Sequence, residues 1–340
     1  MLTTPKKRIR IIYTGGTIGM VPGENGFAPD SGSFLRTLQS IPELQHPDMP
    51  DWDLVEFDPL LDSSDITVRE WNMIGRAIAE DYDRYDGFVV LHGTDTMAYS
   101  SSALSFMLEN LNKPVVYTGA QIPLCQLRSD GRDNLITAMA IAASGRIHEV
   151  CLYFHGALLR GNRSTKLSSD RFTAFESPNA PHLADVGIVI QYNDAAIRPP
   201  CEGPLRLQEF HEIPIGVLKI FPGIQFDLFA SIMTERLKGV VLETFGAGNI
   251  PSYGQALLPI IDKAYHSGTI ITVCSQCLQG TVSLGAYAVS QPLQEVGAVS
   301  GRDMTTEAAV TKLYYLFSRD LTTEEIKAEM SRSLRGEMTL

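Results

Sequence analysis

No apolar run in this chain of 340 residues approaches the roughly 18 that a membrane-spanning helix requires. The basic stretch Lys6-Lys7-Arg8 leads into an apolar segment too short for a signal peptide, so a mature cytoplasmic protein is expected. Basic charge is also scarce: 28 Lys and Arg stand against 39 Asp and Glu, a formal net charge of -11. Such a field repels nucleic acid and anionic membranes, which leaves a small-molecule substrate as the expected partner. Five cysteines, an odd number thinly spread, argue against a disulfide framework and for a reducing compartment. The seven histidines show no metal-ligand spacing such as H-E-x-x-H, and the serine-hydrolase pattern G-x-S-x-G is missing. Neither a metal nor a cofactor is expected.

What the sequence has instead is alternation. Apolar, β-rich runs at Ile9–Tyr13, Gly87–Leu91, Pro114–Tyr117, Val150–Phe154 and Val186–Gln191 predict strands. Helical patterns separate them: Thr67–Asp81 carries apolar residues at Val68, Trp71, Ile74 and Ile78, and Met97–Leu111 follows a polar turn. This order predicts an α/β protein with a parallel sheet covered by helices on both faces. The chain exceeds the usual single-domain length of roughly 100 to 200 residues, so two domains are expected. The period is lost in the proline-rich stretch 193–214, read as a linker between domains at 1–192 and 215–340. Beyond it, strands are expected near Ile215–Ile220, Gly239–Leu242 and Thr269–Val273, with a helix near Gln255–His266. A capping box of Thr322 and Glu325 opens a last helix.

Open α/β sheets bind ligands at the carboxyl ends of their strands. Two polar glycine turns fall there, Thr14-Gly15-Gly16-Thr17-Ile18-Gly19 and His92-Gly93-Thr94-Asp95-Thr96. Glycines at such ends admit a ligand close to the backbone and leave amide donors free to stabilise an oxyanion. Either turn alone reads equally well as a helix cap, and nothing in spacing separates Thr14 from Thr17. Lys166, in the segment after the fourth strand, completes a possible relay in which neutral lysine takes a hydroxyl proton. A free lysine, with a pKa near 10.4, is neutral in only about one copy in a thousand at pH 7, so the relay needs burial and coupling to a carboxylate.

Together, TGGTIG at 14–19, DSSDIT at 62–67, HGTDTMAYSSS at 92–102, TGAQIP at 118–123, RGNRSTK at 160–166 and GRDMTTEAAVTKL at 301–313 resemble the type I, cytoplasmic bacterial L-asparaginases. The resemblance runs from the first strand to the last helix. It implies a larger N-terminal flavodoxin- or Rossmann-like domain, a smaller C-terminal α/β domain, and dimers that sometimes pair into tetramers. It also implies hydrolysis of L-asparagine to aspartate and ammonia, with Thr17 as the nucleophile, Thr94, Asp95 and Lys166 as the relay, and glycine-turn amides as the oxyanion hole. Asp62, Ser63 and Ser64, with Thr94 and Asp95, would hold the α-ammonium and α-carboxylate of the substrate.

Two departures from the family pattern stand out. Where relatives carry a lid tyrosine after the first glycine turn, this chain has Phe27, and Tyr287 is the candidate replacement. At a second, regulatory asparagine site of some relatives, the matching residues are Glu243, Ser275 and Cys277; a glutamate in place of arginine predicts weak or absent activation by asparagine. The pair Cys274 and Cys277 reads as two thiols and not as a metal site. Competing readings are a broader asparaginase and glutaminase, since one methylene is worth only about 1 to 3 kcal/mol in a pocket, a subunit of a tRNA amidotransferase, disfavoured by the acidic charge, and a non-catalytic amino-acid-binding module.

Overall fold

A computed structural model of the chain describes residues 6–24, 26–251, 256–285 and 291–340. Its contacts divide the chain into two units, Met1–Ser177 with Pro181–Gln208, and Pro178–Ala180 with Glu209–Leu340. The stretch 193–214 is shared between them at Gln208, and its residues Arg206–Leu207 pair antiparallel with Leu108–Glu109.

The first unit is built on an eight-stranded sheet. Its strands are β1 (Arg8–Gly15), β2 (Asp51–Leu61), β3 (Gly87–Leu91), β4 (Val115–Thr118), β5 (Val150–Phe154), β6 (Ala157–Arg160), β7 (Ala184–Val186) and β8 (Ile190–Tyr192), in the order β8-β7-β6-β5-β4-β3-β1-β2. The five strands β2-β1-β3-β4-β5 are parallel, and β6, β7 and β8 add on antiparallel. The sheet is therefore mostly and not wholly parallel. The helices that cover it include α1 (Val68–Asp81), α2 (Met97–Met107) and α3 (Gly131–Ala143).

Alternation along the strands decides what each face packs against. Ile9, Ile11 and Tyr13 of β1 and Val89 and Leu91 of β3 share one cluster with Leu135, Ala138, Met139 and Ala142 of α3. Helix α1 starts at a full capping box, Thr67 with Glu70, and its buried stripe is Val68, Trp71, Ile74 and Ile78. The Trp71 indole N–H donates to the Ser100 hydroxyl of α2 at 3.0 Å, which ties the two helices.

Several elements differ from the sequence expectation: β6 and α3 were not among the expected ones, and α2 ends at Met107, short of Leu111, where Leu108–Glu109 pairs as a strand. Residues 186–191 are not one strand: β7 ends at Val186, β8 begins at Ile190, and the two pair antiparallel around Gly187. Strand β2 was not expected, because its sequence DWDLVEFDPLL is rich in carboxylates and carries a proline. It is an edge strand paired only to β1, where exposed charges and Pro59 are tolerated.

The second unit carries a parallel sheet of β9 (Ile215–Lys219), β10 (Gly239–Thr244), β11 (Ile270–Ser275) and β12 (Val299–Ser300). Its helices include α4 (Leu257–His266), α5 (Thr306–Phe317) and α6 (Thr323–Met330). Val240, Leu242, Ile271 and Val273 pack on Leu257, Ile260, Ile261 and Ala264 of α4. The Thr322 and Glu325 capping box opens α6 as its spacing predicts.

Candidate active site

The carboxyl ends of β1, β2 and β3 meet through glycine. Gly15 and Gly16 both have positive φ, +129° and +87°, which turns β1 sharply into the short helical turn Thr17–Gly19. A Cβ on Gly16 would fall 2.5 Å from the Gly93 Cα, and a Cβ on Gly93 would fall 2.4 Å from the Ser63 Oγ. The Thr17 and Thr94 turns therefore rest backbone on backbone, and the Ser63 side chain fills the space on the other side of Gly93. Gly16→Ala is expected to cost about 1 to 3 kcal/mol, because both the positive φ and the contact with Gly93 resist it; a lowered urea midpoint would register this.

The two threonines that spacing left level are separated by their surroundings. Thr14 is buried, and its hydroxyl donates to the Leu91 carbonyl of β3 at 3.0 Å, an inter-strand tie. Thr17 is half-buried at the head of the turn, directly after the glycine that touches Gly93.

Beside Gly93 lies the charged group. The Lys166 ammonium donates to the Thr94 hydroxyl at 2.8 Å and to the Asp95 carboxylate at 2.7 Å. Lys166 arrives from a short ribbon, Thr165–Lys166 paired antiparallel with Phe175–Glu176. Thr94 is buried and Asp95 exposed, so the ammonium stands between a shielded hydroxyl and a solvated carboxylate. His92, behind this turn, is fully buried; its Nδ1 donates to the Gly93 carbonyl at 2.7 Å, and burial pushes its pKa down to about 4, so it stays neutral.

At the end of β2, the Asp62 carboxylate accepts from the Ser64 backbone N–H and hydroxyl, both at 2.9 Å, an Asx turn. The buried Ser63 accepts from the Thr96 hydroxyl at its carbonyl, 2.6 Å away. The 62–64 and 94–96 loops are thus joined by a side chain as well as by Gly93.

Sequence reasoning gave no role to Gln121, although it lies in TGAQIP at the end of β4. Its Oε1 accepts from the Thr94 hydroxyl at 3.4 Å, and its Nε2 donates to the Arg171 carbonyl at 3.0 Å. Asp130 pins its backbone, accepting from the Gln121 and Ile122 N–H groups at 3.0 Å. Since the Thr94 oxygen already accepts from Lys166, its own proton points to Gln121. The available signal was position: TGAQIP ends a strand just as the two glycine turns do.

Glu243, Ser275 and Cys277 lie in the second unit. Glu243 accepts from the Thr306 hydroxyl at 2.6 Å and pairs with Lys219 at 3.5 Å. The Ser275 hydroxyl donates to the Gly246 carbonyl at 2.7 Å and accepts from the Cys277 N–H at 3.0 Å. Cys277 is exposed, whereas Cys274 is buried and its thiol is pushed up to about 12. Among the described residues, no group of three or more His, Cys, Asp or Glu is arranged to hold a metal. Phe27 sits in the hairpin Met20–Gly23 with Gly26–Pro29, half exposed. Tyr287 lies outside the described residues.

Comparison with known proteins places this architecture. Residues 8–198 match the family model for the asparaginase N-terminal domain, and residues 214–330 match the glutaminase/asparaginase C-terminal domain. The chain is 48% identical to L-asparaginase 1 of Escherichia coli over 98% of both sequences. The crystal structure of L-asparaginase I from Vibrio cholerae superposes with a TM-score of 0.92 at 46% identity, over 99% of this chain and 100% of that one. The thermostable L-asparaginase from Thermococcus kodakarensis gives 0.89 at 33%, over 98% and 99%. With two family models spanning most of its length and full-length relatives at these identities, the chain belongs to the asparaginase family.

Proposed function

We propose that this protein is an L-asparagine amidohydrolase that works through a threonine nucleophile. The observation that carries the reading is the Lys166 ammonium bonded at once to Thr94 and Asp95, on the turn whose Gly93 touches the residue before Thr17. In this reading Lys166 first gives up a proton to solvent beside the exposed Asp95; the Thr17 oxygen then attacks the side-chain amide carbon of asparagine while Thr94 takes the Thr17 proton and hands its own to the neutral Lys166 amine, which supplies it to the leaving nitrogen. The tetrahedral oxyanion is met by backbone N–H groups of the glycine turns. The leaving nitrogen takes up a proton and departs as ammonia, leaving a β-aspartyl ester on Thr17. Water cleaves that ester, returning the hydroxyl and releasing aspartate.

Asp95 faces the substrate ammonium, and Asp62, Ser63 and Ser64 hold the same end of the substrate, its α-ammonium and α-carboxylate; a buried zwitterion requires both charges to be satisfied. The reading includes a cytoplasmic setting, supported by five cysteines that are all free, and a homodimer or dimer of dimers, which light scattering would count. Ammonia release from asparagine and from glutamine tests the activity. Release from neither would leave an amino-acid-binding module, and comparable rates from both would broaden the substrate to glutamine.

At the second site the reading is that asparagine does not activate. Glu243 presents a negative charge already engaged by Thr306 and Lys219, and the Ser275 hydroxyl is already donated to the Gly246 carbonyl. Rate against asparagine concentration is expected to be hyperbolic. A sigmoidal curve that Glu243→Arg leaves unaltered would count against this account.

A further inference from the structure

The ribbon that delivers Lys166 has only two residues on each side, with Lys166 opposite Phe175 and Thr165 opposite Glu176. So short a ladder does not hold its own place. On one side Phe175 is buried against Phe154 of β5, with ring centroids 5.2 Å apart. On the other, a histidine joins the ribbon to the sheet: His182 reaches the Glu176 carboxylate through Nε2 at 2.8 Å and the Asp185 carboxylate through Nδ1 at 2.7 Å. Asp185 lies in β7, opposite Ala157 of β6 and Gln191 of β8. An ionised carboxylate only accepts, so both contacts are hydrogen bonds only when both ring nitrogens carry protons.

We infer that His182 is a protonation-dependent positioning residue for Lys166: as imidazolium it pins the Lys166 ribbon to the sheet through Glu176 and Asp185, and as neutral imidazole it releases one of them. The inference rests on the role proposed for Lys166 above. The other titratable groups around the same hollow are Glu176, Asp185 and His155, and His155 lies tilted against Phe172 in the ribbon's loop, with ring centroids 5.6 Å apart.

Burial alone would lower the pKa of His182, but the hydrogen bonds to Asp185 and Glu176 and their charges outweigh it, and the net shift is upward. A raised folded-state value means that the clamp is complete below the unfolded pKa and is lost as pH rises through the folded one. With 29% of the His182 side chain exposed, solvent screens the pair and the effect is modest.

The test is hydrogen exchange of residues 165–176 in the full-length protein from about pH 5.5 to 8.5, normalised for intrinsic exchange, beside ammonia release. Wild-type ribbon opening is expected to rise about threefold through a single titration. His182→Gln should be flat at the open level, and Asp185→Asn should move the midpoint to lower pH. kcat should fall with the wild-type midpoint while KM stays constant. Identical opening profiles in wild type and His182→Gln would overturn the clamp, as would a ribbon that titrates while kcat does not follow. If the wild type releases no ammonia at any pH, the functional reading falls, and the exchange profiles still decide the clamp.

Discussion

Thr17→Ala is expected to lower ammonia release from asparagine by at least about a thousandfold, because the proposed mechanism forms its acyl intermediate on the Thr17 oxygen. The fold should be indifferent, since Thr17 is half-buried at the head of a short turn. Thr14→Ala is the informative contrast. It removes the hydroxyl that bonds the Leu91 carbonyl inside the sheet and is expected to cost about 1 kcal/mol of stability. Thr17→Ala with wild-type turnover, or a Thr14→Ala protein that is fully stable yet inactive, would reverse the two roles. Both variants need a denaturation curve next to the ammonia assay, so that lost activity is not confused with lost folding.

The second large effect belongs to the C-terminal segment. Lys312 of α5 and Glu337 form an ion pair at 2.7 Å with both side chains 0% exposed. The ammonium also donates to the carbonyls of Met330 and Arg332, and the carboxylate accepts from the N–H groups of Leu334 and Arg335. Glu337→Ala would leave a buried cation unpaired, for an expected loss of about 3 to 5 kcal/mol. Replacing both residues with apolar ones would not restore stability here, because the two backbone N–H groups would lose their acceptor. Although burial opposes its charge, the carboxyl of Glu337 is held below its usual range by Lys312 and those donors. A depressed carboxylate value stabilises above the unfolded pKa, and that contribution is lost as pH falls through the folded one. Limited proteolysis should therefore trim the C-terminal residues earlier in acid than at neutral pH. Equal trimming, or a Glu337→Ala midpoint matching wild type, would refute it.

Legibility in the sequence followed the strength of local patterning. The central strands are short apolar runs buried on both faces, and the run 87–91 is β3 to the residue. Helix α1 announced itself by its apolar spacing and its Thr67 cap. Strand β2 did not, because an edge strand keeps charges that a buried one excludes. The β7 and β8 hairpin hid behind an apolar run whose glycine turns the chain back.

At the site, residue types nominated both Thr14 and Thr17 with Thr94, Asp95 and Lys166, and only the family resemblance chose Thr17; the tie from Thr14 to β3 and the place of Gln121 beside Thr94 depend on which strand ends adjoin in the sheet. That adjacency is long-range information, and no window of sequence contains it. His182 is a similar case: its two carboxylates lie three and six residues away in the chain, but one belongs to the ribbon and the other to the sheet.

The contact of Gly16 with Gly93, and of Gly93 with Ser63, sets a limit on redesign. The gap between the Thr17 turn and the Thr94 turn is fixed by main chains resting on each other, so rotamer changes cannot widen or narrow it. Side chains around the rim can be exchanged to accept a longer or bulkier amide while that gap stays constant. A search for variants with new substrates should therefore spare positions 15, 16 and 93 and spend its diversity at the rim, where the tolerance lies.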